Sequence, residues 1–246
     1  MTPRALIIAG PGTNRDADAA LALRLAGAAP TVALASDLLE LADPFAQIEL
    51  IVIAGGFSYG DALGAGRILA LDLTAAEEGR LGEALRRFVD DDGPVIGICN
   101  GFQVLTRAGL LPGSLGHNDA GHFRCQWVEM TVDRGSDCIW TVNAPTRINC
   151  PIAHGEGRYV HPDPAGLTAA RQVALRYAAS GGIGGNPNGS VADIAGVCDD
   201  SGLVLGLMPH PENHVLRHQH PRHRRDPTTA ATMGLGLFES GVKYVR

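Results

Sequence analysis

Lysine is nearly absent from this 246-residue chain: Lys243 is the only one, and arginine supplies the other positive side chains. A nucleotide-binding P-loop and a Schiff-base enzyme both depend on a lysine, so neither is expected in the body of the chain. The formal net charge is −6. Because binding to nucleic acid needs clustered positive charge, this balance argues against a nucleic-acid surface.

Long hydrophobic runs and paired cysteines are also missing. The N-terminal apolar run covers only Ala5–Ala9, whereas a membrane span needs about 20 apolar residues and a secretory signal needs a longer run than this. The five cysteines are widely spaced and include no CxxC pair, so no zinc cluster is expected. An odd number of scattered cysteines is typical of a reduced compartment, and we predict a cytoplasmic protein without a metal.

The overall balance is that of an ordinary globular protein. Apolar residues make up 45 % of the chain and charged residues 19 %, which is enough apolar material for a sizeable core. The length fits one large domain better than two small ones, and no repeat or linker divides the sequence. We therefore predict a single domain over residues 1–246.

Apolar runs of strand length alternate with helical patterns in the first half of the chain. These runs are apolar throughout, so both faces of their sheet should be covered, as in a parallel sheet with helices on each side. The predicted strands are Ala5–Ala9, Thr31–Ala35, Leu50–Ala54 and Pro94–Cys99, and the helices are Arg15–Gly27 (capped by Asn14), Ala75–Asp91 and Asn100–Ala108. The fold class that follows is α/β, with an open, mostly parallel sheet flanked by helices.

The second half is richer in strands, and several of them alternate in part between apolar and polar residues. Such alternation is typical of antiparallel strands, so we expect additional antiparallel strands here, before a last helix at Thr232–Tyr244. The predicted strands are Phe123–Asp133, Thr146–Ala153, Gln172–Ala178, Val191–Cys198 and Leu203–Met208, and the turn-rich segment Gly181–Ser190 separates two of them.

The strongest local signal is Gly97-Ile98-Cys99-Asn100-Gly101, where an apolar strand turns into a predicted helix. This is the form of a nucleophile elbow, with cysteine where hydrolases often have serine. The tight turn needs small residues around the nucleophile, and it places Cys99 at a helix N-terminus, where the dipole favours a thiolate. A buried structural cysteine is the commoner fate of an isolated cysteine, so the motif alone leaves both interpretations open.

The second signal is His210-Pro211-Glu212, after the apolar strand Leu203–Met208. Proline keeps the residue before it out of the helical conformation, and in an extended segment residues i and i+2 face the same side. Glu212 would then orient the imidazole of His210; a turn with two solvated polar side chains is the alternative. Because ligands of open α/β sheets bind outside the carboxyl ends of the strands, we predict a triad in which Cys99 is the nucleophile, His210 its base and Glu212 the orienting group.

The third signal is the glycine-rich segment Gly55–Asp61, again just after an apolar strand. A phosphate-binding loop is the obvious competitor, but the P-loop spacing and its lysine are both absent. Gly64-x-Gly66 is followed by Leu69, where a dinucleotide fingerprint needs glycine or alanine. We predict that this loop offers backbone N–H groups to an oxyanion, with the N–H of Asn100 as the second donor.

Gly97-x-Cys99-x-Gly101-x-Gln103, together with His210-Pro211-Glu212, resembles the class I (triad) glutamine amidotransferases, whose fold is flavodoxin-like. Further stretches narrow the resemblance to the glutaminase subunits of phosphoribosylformylglycinamidine synthases. These stretches are Gly55–Asp61, Cys99–Gln103, Pro151–Tyr159, Asn186–Ser190 and Met208–Glu212. The resemblance extends from about residue 5 to the C-terminus.

The resemblance implies that the chain hydrolyses the amide of glutamine through a thioester on Cys99 and delivers the ammonia to a large synthetase subunit. That partner, with a small accessory subunit, would use ATP and magnesium to convert formylglycinamide ribonucleotide to formylglycinamidine ribonucleotide in purine synthesis. No cofactor is then expected in this chain itself.

Individual residues also acquire expected roles by their position in the motifs. The resemblance implies that Gly56 and Phe57 lie in the oxyanion loop and that Gln103 helps to hold the glutamine. It also implies that the segment His154–Tyr159 faces the synthetase, with His154, Glu156 and Arg158 as the interface residues. These roles come from the resemblance and not from spacing.

One segment departs from the family pattern. Arginine usually follows the Pro-Glu pair, whereas this chain has Asn213-His214, and Arg217–Pro227 is longer and more basic than is typical. Four histidines fall between His214 and His223, so a metal site is one interpretation. We predict instead a solvated basic loop that touches the partner subunit.

Two other function classes compete with the glutaminase. A free-standing cysteine hydrolase or peptidase of similar fold would lack the His-x-Glu pair after the last strand, and this chain has that pair. A binding module with a vestigial triad would have lost at least one of Cys99, His210 and Glu212, and all three are present. Labelling of Cys99 by a covalent glutamine analogue would separate the three possibilities.

Overall fold

The computed structural model describes residues 1–75, 79–178 and 185–246. The described strands are β1 (Arg4–Ala9), β2 (Ala29–Leu34), β3 (Leu50–Ile53), β4 (Val95–Ile98), β5 (Ser114–Gly116), β6 (Arg124–Val132), β7 (Arg147–His154), β8 (Arg158–Val160), β9 (Val173–Ala178), β10 (Ile194–Cys198) and β11 (Val204–Leu207). The described helices are α1 (Asp16–Ala26), α2 (Ala35–Leu39), α3 (Arg67–Thr74), α4 (Arg80–Asp90), α5 (Asn100–Arg107), α6 (Pro164–Ala169) and α7 (Leu235–Tyr244). None of these helices is long and apolar enough to cross a membrane.

A nine-stranded sheet runs in the order β2-β1-β3-β4-β11-β10-β9-β6-β7. The first five strands are parallel to their neighbours, which is the flavodoxin-like order, and the remaining four extend the sheet with antiparallel pairs. The predicted α/β fold class, with a parallel sheet and added antiparallel strands, is confirmed. A separate two-stranded ladder joins β5 to β8.

The apolar, non-alternating strands form the centre of this sheet. β3, β4 and β11 are buried along their whole lengths, and β1 is buried from its second residue onward. β2 is different, because most of its residues are exposed. The prediction that both faces of every strand are covered is therefore wrong for β2, which lies at the edge of the sheet and has a neighbour on one side only.

Several predicted boundaries shift in the structure. Helix α4 begins at Arg80, later than the predicted start at Ala75, and helix α3 was not predicted. Residues 76–78 of the predicted helix Ala75–Asp91 lie outside the described residues, as do residues 181–184 of the predicted turn. Asn14 does not cap α1, whose N-cap residue is Arg15. The start of the predicted strand at Val191 is a 3₁₀ turn, and the last helix begins at Leu235 after another 3₁₀ turn.

Helix α5 lies unusually close to the sheet, and two glycines allow this approach. A Cβ atom at Gly97 in β4 would come within 2.7 Å of the backbone of Gly101 in α5. A Cβ atom at Gly101 would collide with the carbonyl oxygen of Ile53 at the end of β3. Backbone atoms cannot move aside as the end of a side chain can, so these two positions fix the distance between helix and sheet.

This contact predicts that Gly101→Ala destabilises the fold. Overpacking at a tight contact costs about 1–3 kcal/mol, which exceeds the gain in helix propensity from glycine to alanine of at most about 1 kcal/mol. The matched control is Gly116→Ala, because a Cβ atom there meets nothing within 4 Å. Denaturant unfolding of the two variants measures the difference, and equal stabilities would contradict the prediction.

Candidate active site

Cys99 lies at the sharp turn between β4 and α5, as the sequence predicts. Its backbone has φ 51° and ψ −102°, an unfavourable conformation for a residue with a side chain. Such strain costs on the order of 1–3 kcal/mol and persists only where the surroundings impose it. Here the close packing of α5 on the sheet imposes it. The residue is only 4 % exposed, and its Sγ lies 3.9 Å from the carbonyl oxygen of Ala153.

His210 and Glu212 meet Cys99 because β11 lies parallel and adjacent to β4, so the residues that follow both strands share one edge of the sheet. Nδ1 of His210 lies 2.6 Å from Oε1 of Glu212, and both side chains are buried. The Cys99 side chain is close enough to act electrostatically on this imidazole. The structure therefore brings the three residues of the predicted triad together.

The backbone around this pair differs from the extended segment that the sequence predicts. His210 is non-helical, with φ −102° and ψ 85°, but Pro211–Asn213 form a 3₁₀ turn. The N–H of Asn213 donates to the carbonyl of His210 at 3.2 Å. The two side chains meet because the turn folds Glu212 back towards the ring, not because they are alternate residues of a strand.

The charges around His210 favour its protonated form. Burial alone would lower the pKa of the imidazole, but the negative charges of Glu212 and Cys99 outweigh that effect and raise its pKa to about 10. These charges favour the imidazolium form of His210. It holds a proton beside the sulfur, which is the arrangement that a thiolate–imidazolium pair requires.

The glycine-rich loop that follows β3 reaches the same place. Gly56 has φ 126°, and a Cβ atom there would lie 2.6 Å from the side-chain oxygen of Asn14, so only glycine fits. At Gly55 a Cβ atom would lie 2.8 Å from Cε1 of His210. Phe57 is partly exposed and stacks on Phe123, with ring centroids 6.2 Å apart.

A cavity of about 190 Å³ lies between the loop and the nucleophile. It is smaller than the roughly 300–1,000 Å³ of pockets for drug-sized ligands, so it suits a small metabolite. Its lining includes the predicted residues Gly56, Phe57, Cys99, Gln103, His154 and Glu156, together with Asp61, Ala65, His117, Phe123, Ala153 and Gly155. Of these last six, Ala65, His117 and Phe123 lie outside the stretches that carry the resemblance.

A larger cavity, of about 720 Å³, lies at the opposite edge of the sheet. Its walls come from the segments that precede β3 and β4, around residues 42–49 and 87–93. No cysteine or histidine lines it, so it cannot hold the predicted cysteine–histidine pair. The smaller cavity is therefore the candidate active site, in spite of its size.

The side chain of Asn100 connects the glycine-rich loop to helix α5. Its Oδ1 accepts a hydrogen bond from Ser58 Oγ at 2.6 Å, and its Nδ2 donates to Gln103 Oε1 at 3.1 Å. The backbone N–H of Asn100 is the first of α5 and directly follows the nucleophile. Gly56, Phe57 and Asn100 thus surround Cys99, and their service as an oxyanion hole stays a prediction.

Gln103 lines the cavity, but its amide is already engaged by the protein. Its Nε2 donates to the carbonyl oxygen of Glu156 at 2.6 Å, while its Oε1 accepts from Asn100. The side chain therefore joins α5 to the segment between β7 and β8. A direct contact with glutamine stays a prediction.

The segment His154–Tyr159 is less exposed than expected. His154 and Tyr159 are only 3 % and 1 % exposed, so the prediction of an exposed interface is wrong for both. Arg158 is exposed, because neighbouring residues of β8 point to opposite sides. Glu156 does not pair locally with Arg158: it forms an ion pair with Arg107 at 3.5 Å.

The basic segment 217–227 contains a buried part that the sequence does not reveal. His220 is 1 % exposed and packs against Trp127, with ring centroids 4.5 Å apart, and His214 packs on the same indole. The prediction of a solvated loop is therefore wrong for His220, although Arg222, Arg224 and Arg225 are exposed. In the described part of the chain, no group of three metal-ligating side chains is placed to hold an ion.

The fold and the site have the form of a triad amidotransferase, and the comparison with known families agrees. The model of one family, described as a CobB/CobQ-like glutamine amidotransferase domain, matches residues 2–245. The chain therefore belongs to the glutamine amidotransferases. A glutamine amidotransferase from Thermotoga maritima, with 16 % identity and a TM-score of 0.59 over all of this chain and 99 % of that one, shares its fold.

Curated relatives narrow the family further. The chain is 41 % identical over 276 residues, covering 100 % of both chains, to the phosphoribosylformylglycinamidine synthase subunit PurQ of Treponema denticola. It is 44 % identical to that of Frankia casuarinae, covering 95 % of this chain and 91 % of the relative. The structure of PurLQS from Thermotoga maritima contains a chain with 35 % identity and a TM-score of 0.78, with full coverage of both. The chain belongs to the family of PurQ subunits.

The buried His210–Glu212 pair predicts a pH dependence of the free energy of unfolding, and Glu212→Gln should change it. The pKa of His210 is raised from 6.5 to about 10 on folding. Its contribution to the free energy of unfolding is therefore complete below about 6.5 and is lost as the pH rises through about 10. Loss of the carboxylate charge should lower that pKa and move the loss of stability to lower pH.

Two measurements check this expectation. NMR titration of the imidazole follows the pKa of His210, and denaturant unfolding at several pH values follows the stability. Glu239→Gln, an exposed glutamate on α7, is the matched control and should change neither. An unaltered His210 titration in Glu212→Gln would show that the carboxylate does not set its charge.

Proposed function

We propose that this chain hydrolyses the side-chain amide of glutamine to glutamate and ammonia. The ammonia would serve a synthetase that converts formylglycinamide ribonucleotide to formylglycinamidine ribonucleotide in de novo purine synthesis. The observation that carries the proposal is the meeting of Cys99, at a strained strand–helix turn, with the buried His210–Glu212 pair. The names of the full-length relatives supply the particular reaction.

The geometry supports a two-step reaction at Cys99. The thiolate attacks the amide carbon of glutamine, and the backbone N–H groups of Phe57 and Asn100 are the proposed donors to the developing oxyanion. When the C–N bond breaks, His210 gives its proton to the nitrogen, which leaves as ammonia. Neutral His210 then takes a proton from water, and the water oxygen attacks the thioester. The C–S bond breaks, glutamate leaves, and the thiolate and the protonated His210 are restored. Glu212 holds the imidazole in place throughout.

The proposed partners are a large synthetase subunit and a small accessory subunit. Support comes from PurLQS of Thermotoga maritima, whose structure contains a chain similar to this one over its full length. ATP and magnesium would be bound by the synthetase, because this chain has no lysine for a P-loop. We also propose a cytoplasmic location and a single domain over residues 1–246, since one sheet contains strands from both halves of the chain.

Replacement of Cys99 by alanine should abolish glutamine hydrolysis. Loss of a nucleophile within a triad costs on the order of a million-fold in turnover. The assembled complex should still use free ammonia, because that chemistry belongs to the synthetase. The measurements are glutamate release and amidine formation with each nitrogen source.

Cys125→Ser is the matched control, because Cys125 is an exposed free thiol on β6 and is not a member of the triad. It should retain full activity. Glutamine hydrolysis by Cys99→Ala at the wild-type rate would remove the basis of the proposal.

We expect the isolated chain to be weakly active and to be activated by the synthetase. The glycine-rich loop contains Tyr59 and Asp61 with positive φ, so it is a strained element whose conformation docking can complete. Arg158 is the exposed member of the predicted interface. Arg158→Ala should therefore reduce the activation by the partner without changing the basal rate.

The experiment measures glutamine hydrolysis by the purified chain before and after addition of the synthetase and its nucleotide substrates. Arg24→Ala, at an exposed arginine on α1, is the matched control. Full activity in isolation, unchanged by the partner, would contradict the expectation of activation.

A further inference from the structure

His154 lines the active-site cavity but belongs neither to the triad nor to an exposed interface. It is the last residue of β7, next to Ala153, whose carbonyl oxygen lies 3.9 Å from Cys99 Sγ. Its side chain is buried and forms part of the cavity wall. Gly157 makes room for the ring, because a Cβ atom there would collide with it.

Asn118 determines which nitrogen of this imidazole carries the proton. Nδ2 of Asn118 donates to the carbonyl oxygens of His122 and His154, at 3.0 and 2.9 Å. Its Oδ1 therefore faces the other way, where it accepts from the N–H of Gly157 at 3.1 Å. The same oxygen lies 3.0 Å from Nδ1 of His154. Since an amide oxygen can only accept, Nδ1 must be the protonated nitrogen.

The other nitrogen, Nε2, is consequently a hydrogen-bond acceptor. Burial, and then the positive charge of His210, lower the pKa of His154 to about 4, so the ring is neutral at physiological pH and Nε2 bears a lone pair. This atom is buried and has no hydrogen-bond partner among the described residues. A buried acceptor without a partner is destabilising, so a donor from a bound molecule would remove that penalty.

We propose that Nε2 of His154 accepts a hydrogen bond from the side-chain amide nitrogen of glutamine, and that His154 thereby distinguishes glutamine from glutamate. This inference rests on the proposed glutaminase activity. An amide nitrogen carries the hydrogens that the lone pair needs. A carboxylate oxygen offers only lone pairs of its own, so glutamate is repelled, which favours the substrate and the departure of the product.

The competing interpretation is that His154 only fills space beside Gly157. A substrate with the same γ-glutamyl group but no N–H in its leaving group separates the two. Glutamate γ-methyl ester is such a substrate, because Cys99 would release methanol from it in place of ammonia. A purely structural defect would slow both substrates equally, whereas loss of the hydrogen bond would affect glutamine alone.

The test measures kcat/KM for glutamine and for the γ-methyl ester, with the chain assembled with its synthetase. We expect His154→Phe to lower the value for glutamine about tenfold or more and the value for the ester less than about threefold. Inhibition by glutamate should become stronger relative to the binding of glutamine. His154→Ala provides a second variant if phenylalanine does not fit. It should likewise lower kcat/KM more for glutamine than for the ester. His218→Phe, at an exposed histidine, is the matched control.

Each outcome is decisive. An equal loss for both substrates, or no loss for either, would overturn the role of His154 while leaving the glutaminase assignment intact. Failure of the wild-type complex to hydrolyse glutamine would instead overturn the proposed function. Failure of both variants to assemble a reactive Cys99, measured by alkylation, would assign His154 to the fold and would also overturn the inference.

Discussion

The contact between helix α5 and the sheet is the constraint on which the site depends. Gly97 and Gly101 let the helix backbone approach β3 and β4 so closely that the residue between strand and helix must adopt a strained conformation. That conformation turns the Cys99 side chain towards the edge of the sheet at which β11 also ends. A looser contact would relax the turn and separate the thiol from the base. The catalytic geometry therefore depends directly on the packing of α5 against the sheet.

A polar network extends this constraint to the cavity wall. Ser58 binds Asn100, Asn100 binds Gln103, and Gln103 binds the backbone of Glu156, which also pairs with Arg107. The glycine-rich loop, the helix of the nucleophile and the segment after β7 are thus joined through buried hydrogen bonds. Such a connected network holds the walls of a small cavity in one arrangement, because any break leaves a buried polar group without a partner.

The sequence predicts the parallel half of the fold and the triad because both are local patterns. Cys99, with a glycine two residues away on each side, follows one apolar strand, and His210-Pro211-Glu212 follows another. Each pattern can be identified within a short stretch of sequence. Long-range packing is not visible in this way. It buries His154, pairs Glu156 with Arg107, and packs His220 edge-on against Trp127. Asn118 has no motif at all, because its importance arises only when two loops that are distant in the chain come together.

The position of β11 has a consequence for how the protein is made. This strand lies in the middle of the sheet, between β4 and β10, yet it is the last strand in the chain. Cys99 therefore leaves the ribosome more than 100 residues before His210, and at roughly 5–20 residues per second the delay lasts several seconds or more. The sheet of the nascent chain cannot close during that interval. The enzyme acquires its central strand and its base within a few residues of each other, so a chain that stops before β11 has no complete catalytic centre.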